Sequence, residues 1–352
     1  MNRRVRAAGA ALAAAWCVAV NAAMQAAAPS AAGDLQAPPR LSETGLYAAG
    51  RPDVVDPANR AFAPQYPLWS DGAAKRRWIY LPPGTAIDAS DEADWTFPVG
   101  TRFWKEFTFN GRKVETRFIW RASAGRWILA TYVWTEGQDD AVLAPDEGVP
   151  GAVEIAQGRR HDIPGSNDCR ACHGSTRPGP LGFNALQLST DRDPNAIHGE
   201  LLAPGMITLA TLVAEGRLAP ARSDLLTSPP RIHAGSPRTR AVLGYFAANC
   251  GPCHNRSGAT TFSGPSLKHS DLADGDAVAG GLLGYATSWQ VPGQPEGASR
   301  MLNATAPDAS AMLVRMRSRR PSSQMPPLGT ALRDDAAIEV ITKWLATDLA
   351  KR

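Results

Sequence analysis

The 352-residue chain has an almost balanced charge, with 37 Lys and Arg residues against 33 Asp and Glu residues. Three of the basic residues lie within the first six positions, so 34 basic residues face 33 acidic ones in the remainder, a net charge near +1. A chain with this balance has no strongly basic surface, and we expect no nucleic-acid partner. The length after the N-terminal segment allows two or three domains.

The first 28 residues have the composition of an export signal. Met1 to Arg6 carries three arginines, and residues 7–28 are small, apolar and uncharged. This order predicts a signal peptide over 1–28 and a periplasmic mature protein, with an uncleaved N-terminal anchor as the alternative. Cys17 lies in this segment, so four of the five cysteines remain after cleavage. No later stretch is long and apolar enough to span a bilayer.

The composition changes near Tyr66, from Pro- and Ala-rich to aromatic and β-branched. Residues 29–65 predict an extended lead-in, and residues 66–160 predict a β-rich domain. Apolar residues alternate with other residues over 114–121 and again over 128–134, which is typical of strands. Asn110-Gly111 stands between two such stretches and predicts a tight hairpin. We expect an antiparallel β domain, built as a sandwich or a small barrel.

Tryptophan is concentrated in this β-rich domain. Seven of the ten tryptophans fall between Trp69 and Trp134. Their predicted role is core and cross-strand packing, and an aromatic surface for a sugar or another flat ligand is the alternative. The turn that follows Trp69 contains Asp71, for which the sequence offers no partner that would make it catalytic.

Two five-residue stretches indicate a cofactor. Residues 169–173 read Cys-Arg-Ala-Cys-His, and residues 250–254 read Cys-Gly-Pro-Cys-His. C-x-x-C-H is the attachment pattern of a c-type haem, whose two vinyl groups form thioethers with the cysteines. The adjoining histidine binds the iron on the proximal side. The sequence therefore predicts two covalently bound haems, held by Cys169 and Cys172 and by Cys250 and Cys253.

Three other interpretations of these cysteines are open. One zinc ion could use all four cysteines, but this would leave both adjoining histidines unexplained. A thioredoxin-like dithiol requires a βαβ context, which neither stretch has. A structural disulfide is unfavourable within a C-x-x-C spacing.

Helical periodicity is clearest in the last third of the chain. A helix is predicted over Leu201–Leu218, and another over Arg238–Asn249 that leads into Cys250. A final helix begins after Asp334 or Asp335 and carries apolar residues at helical spacing. The overall prediction is an α+β multidomain chain, with the β domain followed by a first haem-binding region over 161–237 and a helical haem domain over 238–352.

The C-terminal region resembles a class I cytochrome c domain. The matching features are the helix before Cys250, the second C-x-x-C-H, Met325 followed by two prolines, and the final helix. In that family the first and last helices cross near a small residue, for which Gly244 is the candidate, opposite an aromatic residue, here Trp344. The resemblance implies that Met325 is the distal ligand of the second haem.

The whole chain also resembles a family of bacterial two-haem c-type cytochromes. The matching residues are Pro67 to Gly72, Val114 to Arg117, the first C-x-x-C-H, and Asn249 through His254. The resemblance implies this architecture more than it implies a reaction.

The iron ligands differ in how well the sequence defines them. His173 and His254 are the predicted proximal ligands, and Met325 is the predicted distal ligand of the second haem. For the first haem, Met206 is the first candidate, His198, His161 and His233 are alternatives, and an open position is a further one. His269 is expected at the surface or outside the ligand set. A run of arginines before Met325 predicts contact with haem propionates or an acidic redox partner, with a solvated helix face as the alternative: Arg315, Arg317, Arg319 and Arg320.

These features predict an electron carrier that passes single electrons between redox partner proteins. The alternative is an enzyme of the two-haem peroxidase or oxidase type, with an open position at the first haem. A third possibility makes the β domain a module that binds a dehydrogenase or a substrate.

Overall fold

The computed structural model describes residues 35–174, 179–256 and 264–350. The predicted signal peptide, including Cys17, lies outside the described residues. Residues Ala37–Arg352 form one compact unit. The fold is mixed, with a large antiparallel sheet and several helices, which confirms the α+β class. The domain boundaries given above stay predictions.

The strands are β1 Tyr47–Ala48, β2 Arg51–Val55, β3 Arg60–Ala61, β4 Ala74–Tyr80, β5 Ile87–Asp88, β6 Arg102–Phe109, β7 Arg112–Ser123, β8 Arg126–Trp134, β9 Ala141–Leu143, β10 Val149–Ala156, β11 Arg159–Ile163 and β12 Leu218–Ala219. The α-helices are α1 Ser166–His173, α2 Leu209–Ala214, α3 Asp224–Thr227, α4 Pro237–Asn249, α5 Gly275–Leu282, α6 Ala311–Arg317 and α7 Asp335–Trp344. Short 3₁₀ turns cover Leu41–Thr44, His269–Asp271 and Pro307–Ala309, and a π-turn covers Leu345–Leu349.

The main sheet has six antiparallel strands in the order β3-β4-β6-β7-β8-β9. The hairpin between β6 and β7 turns at Asn110 and Gly111, which both have positive φ, as the sequence predicted. The predicted sandwich or barrel is wrong, because this sheet is one open layer with β3 and β9 at its edges. Its two faces are covered by the other parts of the chain rather than by a second large sheet.

One face of the sheet packs against the lead-in segment. Trp104, Phe118 and Tyr132 on this face form a buried cluster with Leu41 and Leu46. The segment predicted to be merely extended is therefore part of the core of the sheet. The period-two alternation over 128–134 places Ile128, Ala130, Tyr132 and Trp134 on this same buried face.

The opposite face packs against the chain that carries the first C-x-x-C-H. Phe103 on β6 lies 5.5 Å from Phe183 and 5.1 Å from Phe97 between ring centroids. Helix α1 packs on β8. This face also carries charged side chains that would ordinarily lie in water, and they become important for the site.

The last hundred residues form a helical core in which α4 and α7 are in contact. Trp344 on α7 lies 6.1 Å from Phe246 on α4 and donates its indole N–H to Thr239 at 2.9 Å. Gly244 was predicted to allow the first and last helices to cross, but its nearest neighbour is Tyr66. A Cβ there would lie 2.1 Å from the ring of Tyr66, so the space beside Gly244 is filled by a residue from the start of the β region.

Two predicted helices have different outcomes. Asp334 caps α7 by accepting the N–H of Ala337 at 3.1 Å, so the predicted final helix is confirmed. The helix predicted over Leu201–Leu218 is wrong in extent, since only Leu209–Ala214 is helical. Pro204-Gly205 form a turn, with Gly205 at positive φ, and they prevent an earlier start. No helix in the described residues combines the length and the apolar character needed to cross a membrane.

Candidate haem-attachment site

The first C-x-x-C-H lies in the short helix α1. Gly165 precedes the helix with an extended backbone, and only glycine fits there, because a Cβ would lie 2.0 Å from the carbonyl oxygen of Asp146. One helical turn then separates Cys169 from Cys172 and His173. The sequence thus places the two thiols and the imidazole on a single rigid element held against β8.

His173 is oriented as an iron ligand requires. Its Nδ1–H donates to the carbonyl oxygen of Gly179 at 2.7 Å, which leaves the Nε2 lone pair available. Histidines that bind metals ordinarily donate their other ring N–H to a carbonyl or carboxylate in this way. Burial also lowers the pKa of His173 to about 4, so that the imidazole is neutral at physiological pH.

The second C-x-x-C-H follows directly from the end of α4. Cys250 caps this helix, and a tight turn carries the chain on, with the N–H of His254 donating to the carbonyl of Cys250 at 2.8 Å. Burial raises the pKa of the Cys250 thiol to about 12. Asn249, just before the motif, is fixed by the N–H of Trp69, which donates to its side chain at 2.7 Å.

The two motifs meet in the folded chain. The side chains of Cys172 and Cys253 are hydrogen-bonded to each other, and this contact lowers the pKa of Cys253 and raises that of Cys172. The described residues contain no group of three or more His, Cys, Asp or Glu side chains arranged to hold a metal ion. The arrangement of these side chains therefore does not favour one zinc ion on four cysteines.

A cavity of about 750 Å³ opens beside the first motif. Cys172 and His173 line it, and so does His269 from the 3₁₀ turn after the second motif. Its volume lies in the range of sites that hold a cofactor. Aromatic side chains form much of its wall: Trp95, Phe97, Phe103, Trp127 and Phe183. Three of the tryptophans, Trp95, Trp104 and Trp127, line the cavity, and two of these, Trp95 and Trp104, are also buried core residues.

Three cations form a row across the sheet where it faces this cavity. Arg77 on β4 is in register with Lys105 on β6, and Lys105 is in register with Arg117 on β7. Like charges directly opposite each other on a sheet are destabilising. Arg77 pairs with Glu200 at 2.6 Å and Arg117 pairs with Glu115 at 2.7 Å.

Lys105, in the centre of the row, forms no ion pair with a carboxylate among the described residues. Its ammonium instead lies 4.8 Å from the ring centroid of Phe107. Burial and the charges of Arg77, Lys75 and Arg117 hold its pKa well below the usual range. Arg77 is buried and the other two cations are half-buried, so a neighbouring anion would favour the charged form of Lys105. The row therefore suits a ligand that carries carboxylates.

The residues around the first motif therefore fit a c-type haem. Two thiols and an oriented neutral imidazole stand at one end of an aromatic-walled cavity, and Lys105 and Arg117 line the same cavity. A haem carries an apolar macrocycle, two vinyl groups and two propionates, which match these three features.

The loop that carries Met325 is attached to helix α6. The N–H of Met325 donates to the carbonyl of Arg315 at 3.0 Å. Burial and the charge of Arg315 together lower the pKa of His254. Both predicted ligands of the second haem therefore lie near Arg315, and Met325 itself is half-buried.

The arginine run before Met325 has mainly structural contacts. Arg315 donates to the carbonyl of Ser323 at 3.1 Å and lies over the ring of Trp289. Arg319 donates to the carbonyl of Met316 at 2.5 Å. Arg317 pairs with Asp308 at 2.9 Å, and Arg320 is exposed. Of the run, the structure leaves only Arg320 exposed for an acidic partner.

The candidates for the sixth ligand of the first haem do not lie in the cavity that His173 lines. Met206 is half-buried in a turn, with its sulfur accepting the N–H of Ala203 at 3.4 Å. His233 is exposed. His198 stacks on Trp69 and its Nε2 lies 2.9 Å from Asp334.

His161 is fully buried with both ring nitrogens engaged by carboxylates. Nδ1 lies 2.9 Å from Asp71, and Nε2 lies 3.2 Å from Glu115. It therefore has no nitrogen free for iron. His269, which was expected at the surface or outside the ligand set, is half-buried and lines the cavity.

Sequence reasoning missed the buried network around His161. Burial opposes its protonation, but the hydrogen bonds to Asp71 and Glu115 and both their charges outweigh this and raise the pKa of His161 to about 9. Asp71 also accepts the N–H groups of Ala331 and Leu332, each at 2.8 Å. The sequence offered no partner that would make Asp71 catalytic, and its contacts here tie the sheet to the loop after Met325.

Comparison with known proteins gives no match to any protein-family model, curated protein or solved structure.

Proposed function

We propose that the protein is a periplasmic two-haem c-type cytochrome that carries single electrons between redox partner proteins. The observation that carries this proposal is the contact between Cys172 and Cys253. These residues belong to two copies of one attachment motif that are far apart in the sequence. Groups attached at two cysteines in contact are neighbours, as electron exchange within one chain requires.

In this proposal Cys169 and Cys172 hold one haem, and Cys250 and Cys253 hold the other. Each haem, when bound, supplies an iron that accepts and releases one electron. His173 is held as a proximal ligand by its hydrogen bond to Gly179 at 2.7 Å. His254 has the same place in the second motif.

The protein surrounds the two attachment points differently. Phe97, Phe103 and Phe183 give the first one an aromatic wall that excludes water, while Lys105 and Arg117 offer positive charge. At the second, Met325 is the proposed distal ligand. A thioether favours Fe(II), so Met ligation raises the reduction potential of that haem.

The test is the amount of covalent haem in the exported protein. We expect a pyridine haemochrome assay to give two c-type haems per chain in the periplasmic fraction. Cys169→Ala and Cys250→Ala should each remove one haem, while Cys17→Ala, in the predicted signal peptide, should remove none.

Two results would contradict the proposal. Protein without covalent haem after expression with a c-type haem maturation system would exclude a cytochrome. Two haems together with rapid peroxide consumption and a high-spin iron would support the two-haem peroxidase instead of the carrier.

A further inference from the structure

The cavity beside the first motif has a second histidine in its wall, on a segment from the other attachment region. We propose that His269 supplies the sixth ligand of the iron attached at Cys169, Cys172 and His173. This inference rests on the proposed function and deepens it, since it gives the first haem two histidine ligands. It replaces Met206, which does not line the cavity.

The position of His269 is fixed by contacts on both sides of it. Leu267 donates its N–H to the carbonyl of His254 at 2.8 Å, which ties the segment to the second motif. Lys268 forms an ion pair with Asp94, a residue that also lines the cavity. The 3₁₀ turn His269–Asp271 begins directly after Lys268, and its first residue, His269, forms part of the cavity wall.

The chemical state of His269 suits iron. Among the residues that the structure describes, no group is hydrogen-bonded to its imidazole, in contrast to His161 and His198. Burial, with the charge of Lys268, keeps the ring neutral, which is the form that binds a metal. The ring can therefore coordinate without first giving up a protein partner.

Other donors in the cavity wall are less suited. Lys268 is committed to Asp94. The amine of Lys105 lies over the ring of Phe107 on its own strand, 4.8 Å from the ring centroid, and a haem propionate would be its partner. Among the described residues that line the cavity, His269 is thus the nitrogen donor that remains besides His173.

This assignment has a consequence for electron flow. Two histidines hold the potential of an iron below that given by Met and His. The first haem would then be the low-potential site and the second the high-potential site. His254 and His269 are close in the sequence, so neighbouring parts of the chain would supply one ligand to each of the two irons.

The experiment is spectroscopy of the oxidised, fully loaded protein. For the wild type we expect two low-spin irons, one with the electron paramagnetic resonance signature of two histidines and one of Met and His. His269→Ala should convert one of the two irons to high-spin, and added imidazole should restore the low-spin signal. His233→Ala, a histidine exposed outside the cavity, is the matched control and should leave both signals unchanged.

A second variant covers the case in which His269→Ala does not fold or load. His269→Met offers a thioether from the same position, so we expect the bis-histidine signature to be replaced by a second Met and His signature. Retention of the bis-histidine signature in either variant overturns the assignment, as does a high-spin first haem in the wild type. Neither result changes the count of two haems, so failure of this inference is distinct from failure of the proposed function.

Discussion

The two attachment regions use the same five-residue pattern in opposite settings. The first lies in an eight-residue helix held against a sheet, beside a cavity lined by cations. The second ends a thirteen-residue helix whose apolar residues form the core of the helical part. His173 in the first region donates a hydrogen bond to the carbonyl of Gly179, and His254 in the second lies near Arg315.

This difference teaches what the motif determines and what it leaves to the rest of the fold. Covalent chemistry sets the spacing of two thiols and a histidine, so both regions share it. The sixth ligand, the charge nearby and access of water come from distant segments, and here those segments differ. Two haems attached in the same way would therefore have different potentials.

The largest expected effect is on the reduction potential of the second haem alone. Met325→Ala should abolish the weak red charge-transfer band of Met-ligated Fe(III) and lower the potential of the second haem, because the thioether that favours Fe(II) is lost. Met325→His should keep the iron low-spin at a lower potential. Absorption spectra and redox titration measure both.

The control for this prediction is Met206→Ala. Met206 was the first sequence candidate for the other haem, yet it lies in a turn outside the cavity, so its removal should leave both potentials unchanged. An unchanged red band in Met325→Ala would refute the assignment of this loop as a ligand loop.

Asp71 joins the two regions, and its removal should be the most destabilising substitution considered. Its buried carboxylate binds His161 and two N–H groups of the loop after Met325. Leaving these groups unpaired in Asp71→Ala should lower the free energy of unfolding by about 3–5 kcal/mol. Urea unfolding of the loaded protein measures this.

Asp139→Ala is the matched control for Asp71→Ala. Asp139 is exposed and bonds mainly to Thr135 at 2.6 Å, so we expect a change of about 0.5 kcal/mol or less. Equal effects of the two substitutions would show that the network does not stabilise the junction.

The sequence predicted the elements that depend on local patterns. Asn110-Gly111 gave the hairpin and Asp334 the start of α7, because turn and cap chemistry act over a few residues. The two haem attachments also rest on a local pattern, the C-x-x-C-H spacing, and they stay predictions.

What the sequence did not reveal depends on distant pairing. Period-two alternation indicates one buried face, but both faces of this sheet are covered. The alternation therefore did not show that Glu115 is buried beside Arg117. The row of Arg77, Lys105 and Arg117 exists only once three strands are in register. His269 reaches the first region through the tertiary fold, and no local pattern marks it.

The junction should also respond to pH. His161 has a folded pKa of about 9, above its unfolded value of about 6.5, so its charge stabilises the protein fully below pH 6.5. This contribution, about 3 kcal/mol for a shift of about 2.5 pH units, should be lost as the pH rises from about 6.5 to 9. Urea unfolding at several pH values measures it.

Comparison with His161→Gln isolates this histidine from other titrating groups. The wild type should be the more stable of the two below pH 6.5, and the difference should shrink as the pH reaches 9. A difference that stays constant across this range would mean that His161 is not charged in the folded protein.

The smallest effect concerns the cations of the first region. Lys105 faces Arg77 and Arg117 in register and has no carboxylate of its own among the described residues, so its charge is unfavourable unless a ligand neutralises it. In a Cys169→Ala background, which should lack the first haem, Lys105→Met should raise the free energy of unfolding by up to ~1 kcal/mol. In the loaded protein the same substitution should lower the potential of the first haem, because a nearby cation favours the reduced iron.

Lys343→Met, on the exposed side of α7 beside Glu339, should change neither quantity by a comparable amount. If Lys105→Met left the potential of the first haem unchanged, the cation row would not lie beside the haem, and the contrast between the two regions would rest on their iron ligands alone.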